Sequence, residues 1–336
     1  MISLITEKEE WRNALKAIGG YDFYHTYDYH HLSKNADETP LLVMYKDEHL
    51  HLVIPFLKRT IADGPYVDLT SVYGYAGPLQ KGTLEDADLG LFQTMFNSCL
   101  AELKVVSVFS RLHPYLNYQE PLLAGLGQVI TLGKTVNIDL TKSVDEQRTQ
   151  YGKSTKNRTN KCRRLCKVVS ATTTEDIDTF IDIYYENMKR LSAAESYFFP
   201  RKYFFDFLEC SDFETDILLV IHEEDQLAIA GSMFVKTNSM VQFHLSGSRT
   251  EYLNIAPANL FLDEMRLKAT QEGYTTFNLG GGLGSEQDSL FNFKASFSKD
   301  YRDFKIWKYI VNNSVYDTLV GERKHSDFFP AYRATS

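Results

Sequence analysis

Two kinds of apolar pattern alternate along the chain. LLVMYKDEHLHLVIPFLKRT, from Leu41, and LLVIHEEDQLAIAGSMFVKT, from Leu218, each place a polar, acidic turn between two apolar runs. The turns are Lys46, Asp47 and Glu48 in one and Glu223, Glu224 and Asp225 in the other, and both stretches predict β-hairpins. Ahead of each hairpin, apolar residues recur at helical spacing, from Glu9 to Ile18 and from Glu175 to Leu191. After each come an aromatic strand (Tyr66 to Tyr75; Met240 to Gly247), a helix (Leu89 to Leu103; Ala258 to Glu272) and a strand (Val105 to Arg111; Tyr274 to Leu279). A last apolar strand closes each series (Gln128 to Leu140; Phe304 to Val311).

The same elements in the same order, with the hairpins at a constant offset, predict two copies of one mixed α/β unit. Each copy is expected to be a mixed, mostly antiparallel sheet flanked by helices. The strand TVNIDL gives way to Ser143 and Glu146 at capping-box spacing, which opens a helix. The expected domains are therefore 1–142 and 143–322, with a polar tail over 323–336 that carries no functional reading. Two copies in one chain are expected to leave a cleft between them, a favoured place for a ligand.

The bulk composition fits this plan. The chain has 336 residues, 43% of them hydrophobic and 24% charged, as in a packed two-domain protein. The opening MISLITEKEEW has no basic n-region, and no segment reaches the roughly 18 apolar residues of a membrane span, so a cytoplasmic protein is expected. Cys99, Cys162, Cys166 and Cys210 match neither a disulfide framework nor a zinc spacing; free thiols and no metal are expected. A net charge of −8 argues against a protein that coats nucleic acid and leaves room for a local basic site.

Such a site is offered between Lys153 and Lys167, where seven basic residues occur with no acid. Helical spacing puts Lys156, Asn160, Arg163, Arg164 and Lys167 on one polar face and Arg158 on a stripe with Cys162, Leu165 and Val169. Arg158 is then expected to point toward the core or the cleft, where it needs a carboxylate of the protein or a phosphate of a substrate. TSVYGYAGP (70–78) gathers Tyr73, Gly74 and Tyr75 after a strand, combining close backbone approach with aromatic faces. In the second copy, FHLSGSRTEYLNIAPANLF (243–261) runs from strand to a helix entered at Pro257, a junction with unfilled backbone N–H groups.

FNLGGGLGSEQDSLFNFKASFS (277–298) is rich in glycine but makes neither G-x-G-x-x-G nor a P-loop. Gly280, Gly281, Gly282 and Gly284 are expected to end a strand in a sharp turn. Ser285 to Asp288 then opens a short helix bearing Leu290, Phe291 and Phe293, with Lys294 set between Phe293 and Phe297.

YGYxGP, the K-S-T-K-x-R helix and NLGGG…DSLFNFKASFS, in this order, resemble the FemAB-like branch of the GNAT superfamily, tandem GNAT-like proteins related to peptidoglycan aminoacyltransferases. The resemblance spans roughly residues 1–320. It implies transfer of an acyl or aminoacyl group from acyl-CoA or aminoacyl-tRNA to an amine of a cell-envelope or nucleotide-sugar type acceptor. It also implies that basic cleft residues, here Arg158, hold acceptor phosphates and that Lys294 stabilises charge during transfer; Lys156 is a further candidate substrate-binding residue. Tyr73, Gly74 and Tyr75 match the loop lining the acceptor channel; Tyr197, Gly281, Gly282 and Phe291 complete the candidate binding set. Asp288, Glu286 and His244 are the candidate bases. Two departures matter: no long helical hairpin of the tRNA-using enzymes is present, which favours acyl-CoA over tRNA, and no Q/R-x-x-G-x-G/A motif precedes Ala258. A non-catalytic module for a phosphorylated glycan precursor or a partner protein is the alternative, and a nucleic-acid binder using the basic helix is a third. Oligomeric state is not read from the sequence.

Overall fold

The computed structural model describes residues 1–61, 64–85, 87–322 and 327–334. It divides into two compact units, one of residues 1–133 with 303–336 and one of residues 134–302. Residues 323–326 and 335–336 of the tail lie outside the described residues.

The first unit contains β1 (Ile2–Ile5), α1 (Lys8–Ile18), α2 (Tyr27–Ser33), β2 (Glu38–Lys46), β3 (Leu50–Thr60), β4 (Val67–Thr70), β5 (Leu79–Gly82), α3 (Leu89–Glu102), β6 (Val105–Arg111) and α4 (Gln119–Leu122). β7 (Gln128–Asp139) leads into the second unit, which holds α5 (Val144–Thr149), α6 (Lys153–Arg163), β8 (Cys166–Ser170), α7 (Thr174–Arg190), α8 (Arg201–Leu208), β9 (Glu214–His222), β10 (Leu227–Thr237), β11 (Met240–Ser248), α9 (Pro257–Gln271), β12 (Thr276–Gly280) and α10 (Ser289–Ala295). β13 (Asp300–Ile310) and α11 (Asn313–Val320) follow.

In the first unit the strands run β1-β2-β3-β4-β6-β13, with β5 also on β3. Among the described residues, β4 and β6 are the only pair of these strands that is parallel. In the second the order is β7-β12-β11-β10-β9-β8, and among the described residues only β11 and β12 are parallel. Each unit thus repeats one plan, a meander joined through a helix to a parallel neighbour. The last strand of each sequence copy departs from the expected halves. Val136 to Asp139 of β7 pair with β12, and Ile306 to Ile310 of β13 pair with Arg111 to Ser107 of β6. Trp307 is accordingly buried in the first unit's core, its ring 6.4 Å from Phe56 and 6.3 Å from Phe96.

Local chemistry sets the helix ends. Ser143 and Glu146 close the expected capping box at α5, and Thr173 with Asp176 does the same for α7. α9 begins with Pro257 at its first position after Ala256 in the left-handed region. The basic helix α6 stops at Arg163, short of Lys167, because Cys166 enters β8 opposite His222. Its buried stripe is Thr155, Thr159 and Cys162, and Arg158 is exposed rather than turned to the core. Cys99, Cys162 and Cys166 are buried free thiols, and Cys210 is half-buried. The described part of the tail packs on the first unit, where the Tyr332 hydroxyl and Arg333 meet the buried Asp68 carboxylate.

Candidate functional site

In the second unit, β11 and β12 pair over three residues only, Met240 to Gln242 with Thr276 to Asn278. β11 continues to Ser248 bonded to β10, so from Phe243 onward its other edge has lost the β12 ladder. The fork is fixed by a buried amide pair: the Asn278 amide donates to Gln242 Oε1 at 2.8 Å, and Asn278 Oδ1 accepts from Gly280 N–H at 3.0 Å. Opposite His244 the register slips, Met233 facing Leu245 and Phe234 facing Phe243, so His244 is the extra residue of a β-bulge.

The glycine run follows β12 directly, Gly280 still paired with Val136 of β7. Gly280 sits at φ 76°, and a Cβ at Gly282 would lie 2.0 Å from the Glu286 carbonyl oxygen. At Gly281 a Cβ would come within 2.9 Å of the Lys134 carbonyl oxygen. These glycines make a turn by close backbone approach. Asp288 then caps α10: Oδ1 accepts from Phe291 N–H at 2.8 Å and Oδ2 from Leu283 N–H at 3.3 Å.

α10 delivers Lys294 into the fork. The lysine is 8% exposed, its Nζ donates to the Gly281 carbonyl at 2.6 Å, and the ammonium lies 5.7 Å from the Phe243 ring centre. Burial lowers its pKa to about 8, against a smaller opposing pull from Asp288. A cation is therefore held in largely apolar surroundings beside an open strand edge, an arrangement that stabilises negative charge appearing there.

His244 does not join it. Its ring stacks on Phe207 of α8 at 5.0 Å, with Nε2 3.5 Å from the Tyr203 hydroxyl, whereas Phe243 and Lys294 lie on the α9 side of β11. Burial holds the His244 pKa at about 4. Asp288 lies near Lys294 but is engaged as a helix cap. Phe291 is buried against Tyr301, 5.9 Å between ring centres. Tyr197 sits in the turn before α8 and accepts the Tyr184 hydroxyl on its carbonyl at 2.7 Å.

Of the basic helix, Lys156 Nζ reaches the Thr149 carbonyl at 3.4 Å, and Arg158 has no ion-pair partner among the described residues. The guanidinium that does find carboxylates is Arg163, bound to Asp263 at 3.0 Å and also to Glu264. Asp263, fully buried, further receives Arg148, Arg266 and the Tyr151 hydroxyl. Burial pushes its carboxyl up, but Arg266, Tyr151 and Arg163 outweigh that and hold it below the usual range.

In the first unit, Tyr73 is 66% exposed and Gly74, at φ 134°, lies against the Tyr24 ring where a Cβ would fall 2.0 Å from it. Tyr75 meets Tyr24 and Phe304 edge-on. The sequence reading missed Arg111, whose guanidinium lies 5.2 Å from both the Tyr73 and Phe109 rings, and Phe243, the ring facing Lys294. Phe243 looked like an ordinary strand residue; its alternation with His244 was the available signal.

Residues 217–302 match the FemAB family. No curated protein matches the chain in sequence. Among solved structures, FemX superposes with a TM-score of 0.73 at 13% identity, over 94% of this chain and 99% of that one. The C-terminal domain of a putative lysylphosphatidylglycerol synthetase from Agrobacterium fabrum gives 0.54 at 15%, over 92% and 93%. A tandem GNAT protein from the clavulanic acid biosynthesis pathway gives 0.50 at 10%, over 92% and 98%. At these identities the likeness is one of fold.

Proposed function

We propose that this chain, whose residues 217–302 match the FemAB family and whose fold is like that of FemX and of a tandem GNAT protein, moves an acyl or aminoacyl group onto the amine of a cell-envelope precursor. The observation that carries the reading is Lys294, a buried ammonium beside the open edge of β11. Backbone N–H and C=O groups along that edge suit an extended donor arm lying as an added strand, which favours the pantetheine of an acyl-CoA. Aminoacyl-tRNA is the other donor.

The acceptor nitrogen attacks the donor carbonyl carbon, the C–N bond forms, and the C–S bond (C–O for the tRNA ester) breaks. The nitrogen loses its proton to solvent and the departing thiolate or alkoxide takes one up. Lys294, with N–H groups at Gly281 and Gly282, stabilises the oxyanion between these events. Positioning supplies much of the remainder. Asp288 and His244 have no proton to take in this scheme, one being a cap and the other lying on the far face of β11. Within the second unit, Lys156, Arg158 and Tyr197 are the proposed acceptor contacts.

The test is calorimetric binding and transfer with acetyl-CoA and with charged tRNA. Saturable binding of one donor, with amine-dependent release of its carrier, supports the reading. Retained precursor binding with no donor bound replaces it with a non-catalytic module.

A further inference from the structure

Lys294 is an amine with little to keep it protonated. Among the described residues its Nζ donates to one acceptor, the Gly281 carbonyl at 2.6 Å, and meets no carboxylate at ion-pair distance. The Phe243 ring stands 5.7 Å away, and Phe291, Ala295 and Phe297 are buried in the core around α10. The charge acting on it is Asp288, whose two oxygens accept the Phe291 and Leu283 N–H groups. On β11, His244 is turned to the α8 side, and the Gln242–Asn278 pair of β11 and β12 is neutral. Burial thus leaves the pKa at about 8, so that about one-tenth of the side chain is neutral amine at pH 7.

On the proposed function a donor carbonyl oxygen bonds to this Nζ, which sets the carbonyl carbon only about 1.2 Å beyond that oxygen. As the ammonium, Lys294 donates to the oxygen; as the amine, it carries a lone pair at the same place, and a desolvated lysine is a nucleophile. We infer that Lys294 is itself an acylation site: when a bound acyl ester meets no acceptor, the lysine takes the acyl group and the chain falls silent. The neutral Nζ attacks the carbonyl carbon, the C–N bond forms and the C–S or C–O bond breaks. Nζ gives one proton to solvent, and the departing thiolate or alkoxide takes one up. The product is a neutral amide, which cannot stabilise an oxyanion as the ammonium does. This inference rests on the proposed donor site and adds a fate for the donor that transfer to an acceptor does not include.

The experiment is incubation of the full chain, without any acceptor amine, with acetyl-CoA and separately with the acetyl thioester of N-acetylcysteamine, which needs no nucleotide contacts. Peptide mass spectrometry follows acetylation lysine by lysine. With at least one thioester at pH 7, Lys294 is expected to be acetylated about tenfold or more faster than the exposed Lys153 and Lys161, at a rate that levels off above about pH 8. Chain unfolded in urea should lose the preference. Labelling of Lys294 no faster than that of Lys153 and Lys161 with both thioesters, or a preference that survives unfolding, overturns the inference. The label is read on the chain itself, so the two readings fail separately. Acetylated Lys294 with no transfer to added amines removes the proposed function and keeps this inference; transfer with Lys294 unmodified removes this inference alone.

Discussion

The Lys294 ammonium donates to the Gly281 carbonyl at 2.6 Å, tying α10 back to the glycine run that precedes it. One carbonyl is modest compensation for an ammonium that is 8% exposed, so folding alone gives little reason to keep a lysine there.

Lys294→Met should therefore separate function from stability. Turnover is expected to fall by about 10²- to 10³-fold. The thermal midpoint at pH 7 should hold or rise by a few degrees, roughly as relief of a buried charge allows. Steady-state kinetics and a melting curve check both; turnover within a few-fold of wild type removes the lysine from the mechanism.

The same group has opposite effects on stability and rate above neutrality. Its folded pKa of about 8 lies below the unfolded value of roughly 10.4. Between these the unfolded chain binds more protons, so the Lys294 contribution to stability rises from pH 8 to 10. Activity should fall over that interval as the ammonium is lost. A pH–rate profile whose basic limb is unchanged in Lys294→Met contradicts the assignment.

Acid should weaken the fold through three buried histidines. Burial lowers His30 and His244 to about 4 and holds His25 well below its usual value, with His113 adding to the effect at His25. Each stays neutral in the fold, so its contribution is complete above about pH 6.5 and is lost as the pH falls, toward 4 for His30 and His244. Urea midpoints at pH 7 and pH 5 measure this; equal midpoints would be the contrary result.

The glycine run should be unequal in its tolerance. Gly282→Ala drives a methyl into the Glu286 carbonyl oxygen at 2.0 Å and is expected to cost several kcal/mol, of order 3 or more. Gly284→Ala meets nothing within 4 Å and has only its φ of 60° to overcome, about 1 kcal/mol. Chemical denaturation of the pair gives the comparison, and similar losses would refute the steric argument.

Asp263→Asn should cost about 3 kcal/mol or more, because it removes the negative charge shared by Arg148, Arg163 and Arg266 in a fully buried setting. Denaturant titration checks it; a loss below about 1 kcal/mol would mean that hydrogen bonds alone suffice.

Much of this fold can be read from one sequence because hairpins and amphipathic helices are local. The hairpins at Leu41 and Leu218, α7 and α9 follow from periodicity and end signals within a few residues. The partner of Phe304–Val311 is not local: nothing in that strand says that it pairs with Val105–Arg111. Arg158 shows a different limit. Extending the helix to Lys167 aligned it with Leu165 and Val169, but α6 ends at Arg163 and buries threonines. Thr159 is accommodated because its hydroxyl donates to the Thr155 carbonyl at 2.8 Å. At the candidate site, the sharp turn at the glycines and the helix after Asp288 were legible. The three-residue pairing of β11 with β12, which opens the edge beside Lys294, was not, since strand divergence leaves no composition signal.

The placement of β13 also sets an order of events during synthesis. Arg111 finds its partner Ile306 only after roughly two hundred further residues have left the ribosome. Until then β6 has a bare edge and the first core lacks Trp307. A product cut off near residue 142 is for that reason an unfinished sheet, prone to pair with other copies of itself, and the amino-terminal half of this protein is among the last parts of it to be completed.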